Sequence, residues 1–244
     1  MPGYSTRIQS IADLSSRERQ QIVALYLQYY CATDEAQVIH DLERKCEILL
    51  LEHEHSLVGF TSLKLFTCQW QNHSIQVVFS GDTVVAREHW GQQALAFSWI
   101  RRMSEIKQKR PDLPLYWFII VKGHRTFKYL PTFGKSFYPH WSVDRSDLKP
   151  LADHLATDMF GEHYNPATGV VEYDYSRGHL KPNIAEPSEQ ELSKPAVRFF
   201  LEKNPNYRMG HELVCLCELE QENMKPFTRR LAARTPCHEL VQPA

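Results

Sequence analysis

A chain of 244 residues with 43% hydrophobic content and five tryptophans has ample material for a buried core. Its 28 basic and 29 acidic residues nearly cancel, which leaves no electrostatic footprint for nucleic acid or an anionic membrane surface. No apolar run reaches the roughly 18 residues of a membrane span. MPGYSTRIQS lacks the apolar stretch of a secretory signal, and the scattered Cys31, Cys46, Cys68, Cys215, Cys217 and Cys237 fit reduced thiols in a cytoplasmic protein.

The pattern predicts a first helix over 13–31 (DLSSRERQQIVALYLQYYC). Ser15 or Ser16 caps it, Glu18 sits in its first turn, and Ile22, Leu25, Tyr26 and Tyr29 form its apolar stripe. A more polar helix follows over 33–45. EILLLEH (47–53) and LVGFTSLKLFTC (57–68) read as strands joined by a tight polar turn at Glu54–Ser56. The run Glu52, His53, Glu54, His55 is not expected to bind metal, because strand neighbours point to opposite faces and hairpin tips are ordinarily polar. A long strand from His73 to about Val85 comes next, then a helix from about Arg87 to Gln108. LYWFIIV (115–121) is continuously apolar, as a strand covered on both faces would be. A short helix over 125–135 completes the order α-α-β-β-β-α-β-α.

Beyond Phe137 a helix is expected over 149–160 and a turn-rich stretch over 164–181, where Tyr164, Asn165, Thr168 and Gly169 carry turn chemistry. A helix over 188–206 follows, with Asn204, Pro205 and Gly210 closing it ahead of a strand over 210–220 (GHELVCLCELE). Leu213, Cys215, Cys217 and Leu219 share one face of that strand, and its simplest partner is an edge of the first sheet. The expectation is one domain over 1–244: a core over about 8–140, a helical and turn-rich insertion over 141–208, the closing strand and a frayed tail. The fold class is α/β (α+β), with a mixed, mostly antiparallel central sheet flanked by helices.

IQVVFSGDTVVAREHWGQQALAFSWIRRM (75–103) is a strand, a turn with one glycine and an amphipathic helix. A strand feeding a helix gathers unpaired N–H groups at the positive end of the helix dipole, an arrangement that binds phosphate. In this position the segment resembles the GNAT superfamily of acyltransferases, whose strand-to-helix turn carries Q/R-x-x-G-x-G/A and grips the pyrophosphate of acyl-coenzyme A. In VAREHWGQQAL, Arg87 and Glu88 start the turn and Gly91 matches the first glycine. Trp90 replaces the usual Arg or Gln, Gln93 a glycine, and Leu95 the final Gly or Ala. LYWFIIVKGHRTFKYLPTFGKSFYP resembles the family's next strand, which splays from its neighbour to open an acyl channel, and the helix behind it. Ser136-Phe137 stands in place of a Gly-Phe pair, Arg125 where an asparagine is frequent, and Thr132 where a tyrosine serves as general acid. Tyr129 or Tyr138 is then the substitute acid. YWFIIVKGHRTFKYLP, FYP, YNPATGVV, LKP, RFFLEKNP and GHELVCL are similar to a divergent bacterial GNAT-like group.

The resemblance implies an N-acyltransferase with no permanently bound cofactor. It would move an acyl group from acyl-CoA, or from acyl-phosphopantetheine on an acyl carrier protein, to an amine of a small molecule or peptide by direct attack in a ternary complex. Backbone groups at Val84 and Val85 would hold the donor, and Arg87, Trp90, Gly91, Gln92 and Gln93 would form the pyrophosphate turn. Lys122 and Arg125, leaving the strand with Gly123 and His124, read either as a phosphate or carboxylate site or as a solvated turn. Asp82 follows Gly81, which permits a bulge. Apolar neighbours would raise its pKa and suit a general base, while capping the bulge or pairing with Arg125 is the structural alternative. His140 is a base, a substrate contact or a packed loop histidine, and Glu212 is a lesser base candidate. Phe199 and Phe200 belong to the core or to an acyl pocket. A non-catalytic binding module, thioester hydrolysis and decarboxylation remain alternatives, as does a homodimer.

Overall fold

The computed structural model describes residues 3–233; Cys237 and the end of the tail lie outside them, but the part of the tail over 226–233, expected to be frayed, forms a helix with Thr228 and Ala232 buried. The chain opens with β1 (Tyr4–Ser10), α1 (Ser16–Tyr29), β2 (Tyr30–Cys31), α2 (Glu35–Glu43), β3 (Glu47–His53), β4 (Ser56–Trp70) and β5 (His73–Val85). It continues through α3 (Ala94–Lys109), β6 (Leu115–Val121), α4 (His124–Phe127), α5 (Tyr129–Phe133), α6 (Lys149–Phe160), β7 (Tyr164–Asn165) and β8 (Val170–Val171). It closes with β9 (His179–Leu180), α7 (Pro182–Ala185), α8 (Glu189–Leu192), α9 (Pro195–Lys203), β10 (Glu212–Glu218) and α10 (Pro226–Ala233).

Local chemistry sets many of these boundaries. Ser15 and Glu18 form a capping box that starts α1, and the Asp34 side chain accepts from the Gln37 N–H to start α2. Glu54 and His55 both take positive φ, 49° and 66°, in the two-residue turn between β3 and β4. Three expectations are corrected. A polar edge strand, β1, precedes the first helix and pairs antiparallel with β3. The helix expected from Arg87 starts at Ala94, because Arg87–His89 is a 3₁₀ turn and Gly91 adopts φ +88°. The helix expected over 188–206 is two helices, since Pro195 can begin a helix but cannot continue one.

The central sheet runs β1-β3-β4-β5-β6-β10-β8-β7. Every adjacent pair is antiparallel except β5–β6. The closing strand β10 lies beside β6, so the insertion returns to the sheet and extends it. Alternation divides the buried side chains as the apolar run 115–121 predicts. Val77, Phe79, Phe118, Val214 and Leu216 pack with Leu151, Ala152 and Leu155 of α6. Val78, Trp117, Ile119, Cys215 and Cys217 join the larger core with Leu95 and Trp99 of α3.

β5 and β6 are in register only from Gln76↔Leu115 to Ser80↔Ile119. Beyond Ser80 the β4–β5 register shifts, setting Gly81 and Asp82 opposite Ser62 in a bulge, and β5 continues to Val85 without β6 beside it. At the root of the resulting gap, Trp117 Nε1 donates to Ser80 Oγ at 2.8 Å. The splayed pair expected from the resemblance is present in the backbone.

Candidate active site

The β5 backbone that borders the gap has a definite orientation. Ala86 N–H bonds to Val58 O across the β4 ladder. Alternation therefore turns Val84 toward β4 as well, and turns Thr83 and Val85 toward the open side. Of the two residues expected to hold a donor through backbone groups, only Val85 faces the gap. Its carbonyl already accepts from Trp90 Nε1 at 2.8 Å, which leaves its N–H available.

Two cavities meet at the gap. The first, about 600 Å³, lies on the α3 side and is walled by Val84, Val85, Ala96, Phe97, Ile100 and Phe133. Trp90, Gly91, Gln92, Gln93, Arg125 and Tyr129 also line it, so most of the residues expected to bind the donor are gathered in one place. The turn is held to the body by the Tyr29 hydroxyl, which accepts from Arg87 N–H at 2.7 Å. Gln92 Oε1 accepts from Leu95 N–H at 3.2 Å and caps α3. Trp90, 40% exposed, has Arg125 over its ring at 4.9 Å and Arg87 at 5.8 Å. Tyr129 packs against Phe133, and burial raises the pKa of its phenol.

Glu191, from α8, reaches the same cavity. Its carboxylate pairs with Lys128 at 3.0 Å and Arg125 at 3.3 Å. His124, only 1% exposed, approaches it at 3.2 Å without hydrogen-bond geometry. Burial, reinforced by the Arg125 charge, lowers the His124 pKa. Against a desolvation that works upward, the Ser188 backbone N–H and Lys128 hold Glu191 down at about 2. Arg125 also donates to the Ile184 carbonyl. The basic groups here are thus already engaged by the insertion, and the alternative pairing of Arg125 with Asp82 is not formed.

The second cavity, about 170 Å³, opens on the α6 side and shares Tyr30, Thr83 and Thr126 with the first. Asp82, Lys122 and Glu212 lie in it, with Asp41, Arg44, Lys45, Lys64 and Arg177. Asp82 therefore sits half-buried among charges as well as Phe79, Ile120 and Met159, and its surroundings are mixed where apolar ones were expected. Glu212 is the buried carboxyl: it is 8% exposed, and burial raises its pKa against the pull of Lys122 at 3.6 Å. Gly81 leaves room for Lys45, whose Cε would lie 2.4 Å from any added Cβ.

Tyr138 and His140 are not brought to the gap. Tyr138 bonds through its backbone to Leu216, on the far side of β10. His140 stacks on Trp141, and its Nδ1 accepts from the N–H groups of Ser142 and Val143 at 3.0 and 3.1 Å. Phe200 is fully buried against Phe127 and Tyr207, and Phe199 packs on Phe127 and Trp141. Tyr30, Thr83 and Thr126 at the junction, and Glu191 beside it, carry no sequence pattern that marks them. Tyr30 and Cys31 are brought there by pairing with β9, 148 and more residues away. Cys31, Cys46, Cys68, Cys215 and Cys217 are free thiols. Among the described residues no group of three His, Cys, Asp or Glu is placed to hold a metal, and no helix is long and apolar enough to cross a membrane.

By sequence, the chain matches no family model and no curated protein. Solved structures overlap with it loosely. A ribosomal-protein-alanine N-acetyltransferase from Brucella melitensis biovar Abortus 2308 is 16% identical over 58% of this chain and 96% of its own, with a TM-score of 0.42. A GNAT family N-acetyltransferase (YhbS) from Escherichia coli, solved with CoA, is 15% identical over 54% of this chain and 68% of its own, with a TM-score of 0.38. A "Probable N-Acyltransferase" from Enterococcus faecalis V583 is 10% identical over 55% of this chain but only 33% of its own, with a TM-score of 0.39. Overlaps at this level carry no chemistry. The topology itself has the expected mixed, mostly antiparallel sheet flanked by helices: the antiparallel run β3-β4-β5, the bulge at Gly81, and a parallel β6 that parts from β5.

Proposed function

We propose that the chain is an N-acyltransferase that joins a phosphopantetheine-linked acyl thioester, delivered by coenzyme A or a carrier protein, to an amine. The carrying observation is that two cavities of opposite chemistry meet at the β5–β6 gap across Tyr30, Thr83 and Thr126. The larger, apolar one suits an acyl-pantetheine arm, with the Gly91 turn and the α3 N-terminus at its mouth for phosphate. The charged one suits an amine.

In this mechanism the acceptor enters as an ammonium held by Asp82 and loses a proton to Glu212, directly or through water. Burial raises the Glu212 pKa against the pull of Lys122, the direction that suits a general base. Glu212 sheds that proton to solvent, and the free amine attacks the thioester carbonyl: the C–N bond forms, the C–S bond breaks and the second amine proton passes to the emptied Glu212 carboxylate. The Val85 N–H, facing the gap, stabilises the oxyanion. Tyr129, whose raised pKa keeps it protonated, gives its proton to the departing thiolate and recovers one from solvent. The products are an amide and a free thiol.

Incubation with acyl-CoAs and acyl carrier proteins of graded chain length, beside a panel of amines, tests this by mass spectrometry. An amide product with equimolar thiol release is expected. Donor binding without consumption would replace the reading by a binding module, and consumption without an amide by hydrolysis.

A further inference from the structure

We propose that the acceptor is an amine carrying its own anion, an amino-acid-like zwitterion that enters ammonium first. This rests on the second cavity being the acceptor side. The charges in that cavity are layered. At its floor, on the bulge beside the gap, Asp82 has no hydrogen-bond or ion-pair partner among the described residues, while Glu212 is paired with Lys122. At its rim stand Arg44 and Arg177, both exposed. Neither is paired with a carboxylate among the described residues; the Arg177 guanidinium lies over the Tyr173 ring at 4.6 Å.

The remaining charged groups do not blur this layering. Lys45 donates to the Asp41 carbonyl at 3.2 Å and lies over the Phe79 ring, and Asp41 accepts from Gln37 Nε2 at 2.9 Å. Lys64 lies over the Phe66 ring and adds a further unpaired cation. Arg44 and Arg177 also border a neighbouring polar groove of about 370 Å³ between α2 and the 175–177 loop; the groove's carboxylates, Asp34 and Asp41, already accept from the Gln37 backbone and side chain. An acceptor arriving through that groove passes the two arginines before it reaches Asp82. A plain alkylamine would leave the arginines unmatched, and a diamine would meet repulsion there. A zwitterion satisfies both ends. The matching anion is an oxygen acid that a guanidinium grips in bidentate fashion, a carboxylate or a phosphate.

Initial-rate assays with an acyl-CoA that the protein accepts compare α-amino acids, ω-amino acids and aminoalkyl phosphates, each against the same amine without its anion. The anion-bearing member is expected to show kcat/KM at least about 10-fold higher, the low end of a charge-assisted hydrogen bond. The carboxylate and phosphate series identify the anion. In Arg44→Glu/Arg177→Glu, and more weakly in Arg44→Gln, that preference is expected to disappear while diamines gain. A native preference near one, or a preference that the double variant leaves in place, overturns the proposal. If no amine is acylated at all, the transferase reading fails by itself. Calorimetry with the same pairs then decides this inference: anion-dependent binding lost in the double variant supports it, and equal binding or none within each pair overturns it. The variants are checked by circular dichroism, and both arginines are exposed, so the fold is expected to survive.

Discussion

The two cavities at the gap use charge in opposite ways. On the α3 side Arg125 and Lys128 are held by one carboxylate, Glu191, so half of that positive charge is offset before any ligand arrives. On the α6 side Asp82, Arg44 and Arg177 have no ion-pair partner among the described residues, and only Glu212 is tied, to Lys122. Internally paired groups build a wall, whereas unpaired ones remain for a ligand. In the proposed reaction the first side takes a long chain gripped by contact surface, and the second a small, charged molecule gripped by its ends.

Four substitutions break or sharpen that contrast. Glu212→Gln is expected to lower kcat by about 10²–10⁴-fold, the range of a general base, with donor affinity retained in calorimetry. Loss of donor binding instead would place Glu212 on the wrong side of the gap. Tyr129→Phe is expected to lower kcat by about 10²-fold, and the loss should shrink with donors whose thiolate is a better leaving group. An unchanged rate across such donors would remove Tyr129 from proton transfer.

Glu191→Gln is expected to cost about 2 kcal/mol of stability at neutral pH, since it uncouples a largely buried carboxylate from two cations. The Glu191 pKa in the folded protein, about 2, lies below the usual 4.5. Its contribution is therefore complete above the usual value and drains away as pH falls toward about 2. Native and variant melting curves should converge over that window. Freed Arg125 and Lys128 should also tighten a phosphate-bearing donor, so weaker donor binding would contradict the account of a partly neutralised wall. Gly91→Ala is expected to cost about 1 kcal/mol in thermal unfolding, because the left-handed φ is unfavourable with a Cβ although nothing lies within 4 Å of it. A rise in melting temperature would mean that the turn rearranges.

How much of this was legible in the sequence depends on the range of the interactions. β5, β6 and α6 have the bounds expected from their own residues, because apolar alternation, an unbroken apolar run and a proline-started helix are local signals. β1 has no local signal because YSTRIQS is a polar edge whose order comes from pairing with the distant β3, from Tyr4↔His53 to Ser10↔Glu47. In the first cavity the strand, turn and helix that carry Val85, Gly91 and Gln92 are contiguous, and they were found together. In the second, α2, the bulge, the 173–177 loop and the start of β10 are assembled by pairings such as Leu213↔Val170, which no local pattern announces. Asp82 stands out by its place on β5, but the full burial expected of a raised-pKa carboxyl belongs to Glu212. That exchange is visible only once β10 is laid beside β6.

Trp90 has one further consequence. Of the five tryptophans it is the exposed one, and it stands at the mouth of the larger cavity between two guanidinium groups, its indole N–H fixed to Val85. An arriving phosphate would draw Arg87 or Arg125 off the ring, and an adenine would stack where they had been. Either event changes the polarity around the indole, so the protein carries a built-in optical reporter: its emission should shift as a donor docks, with no label and before any bond is made.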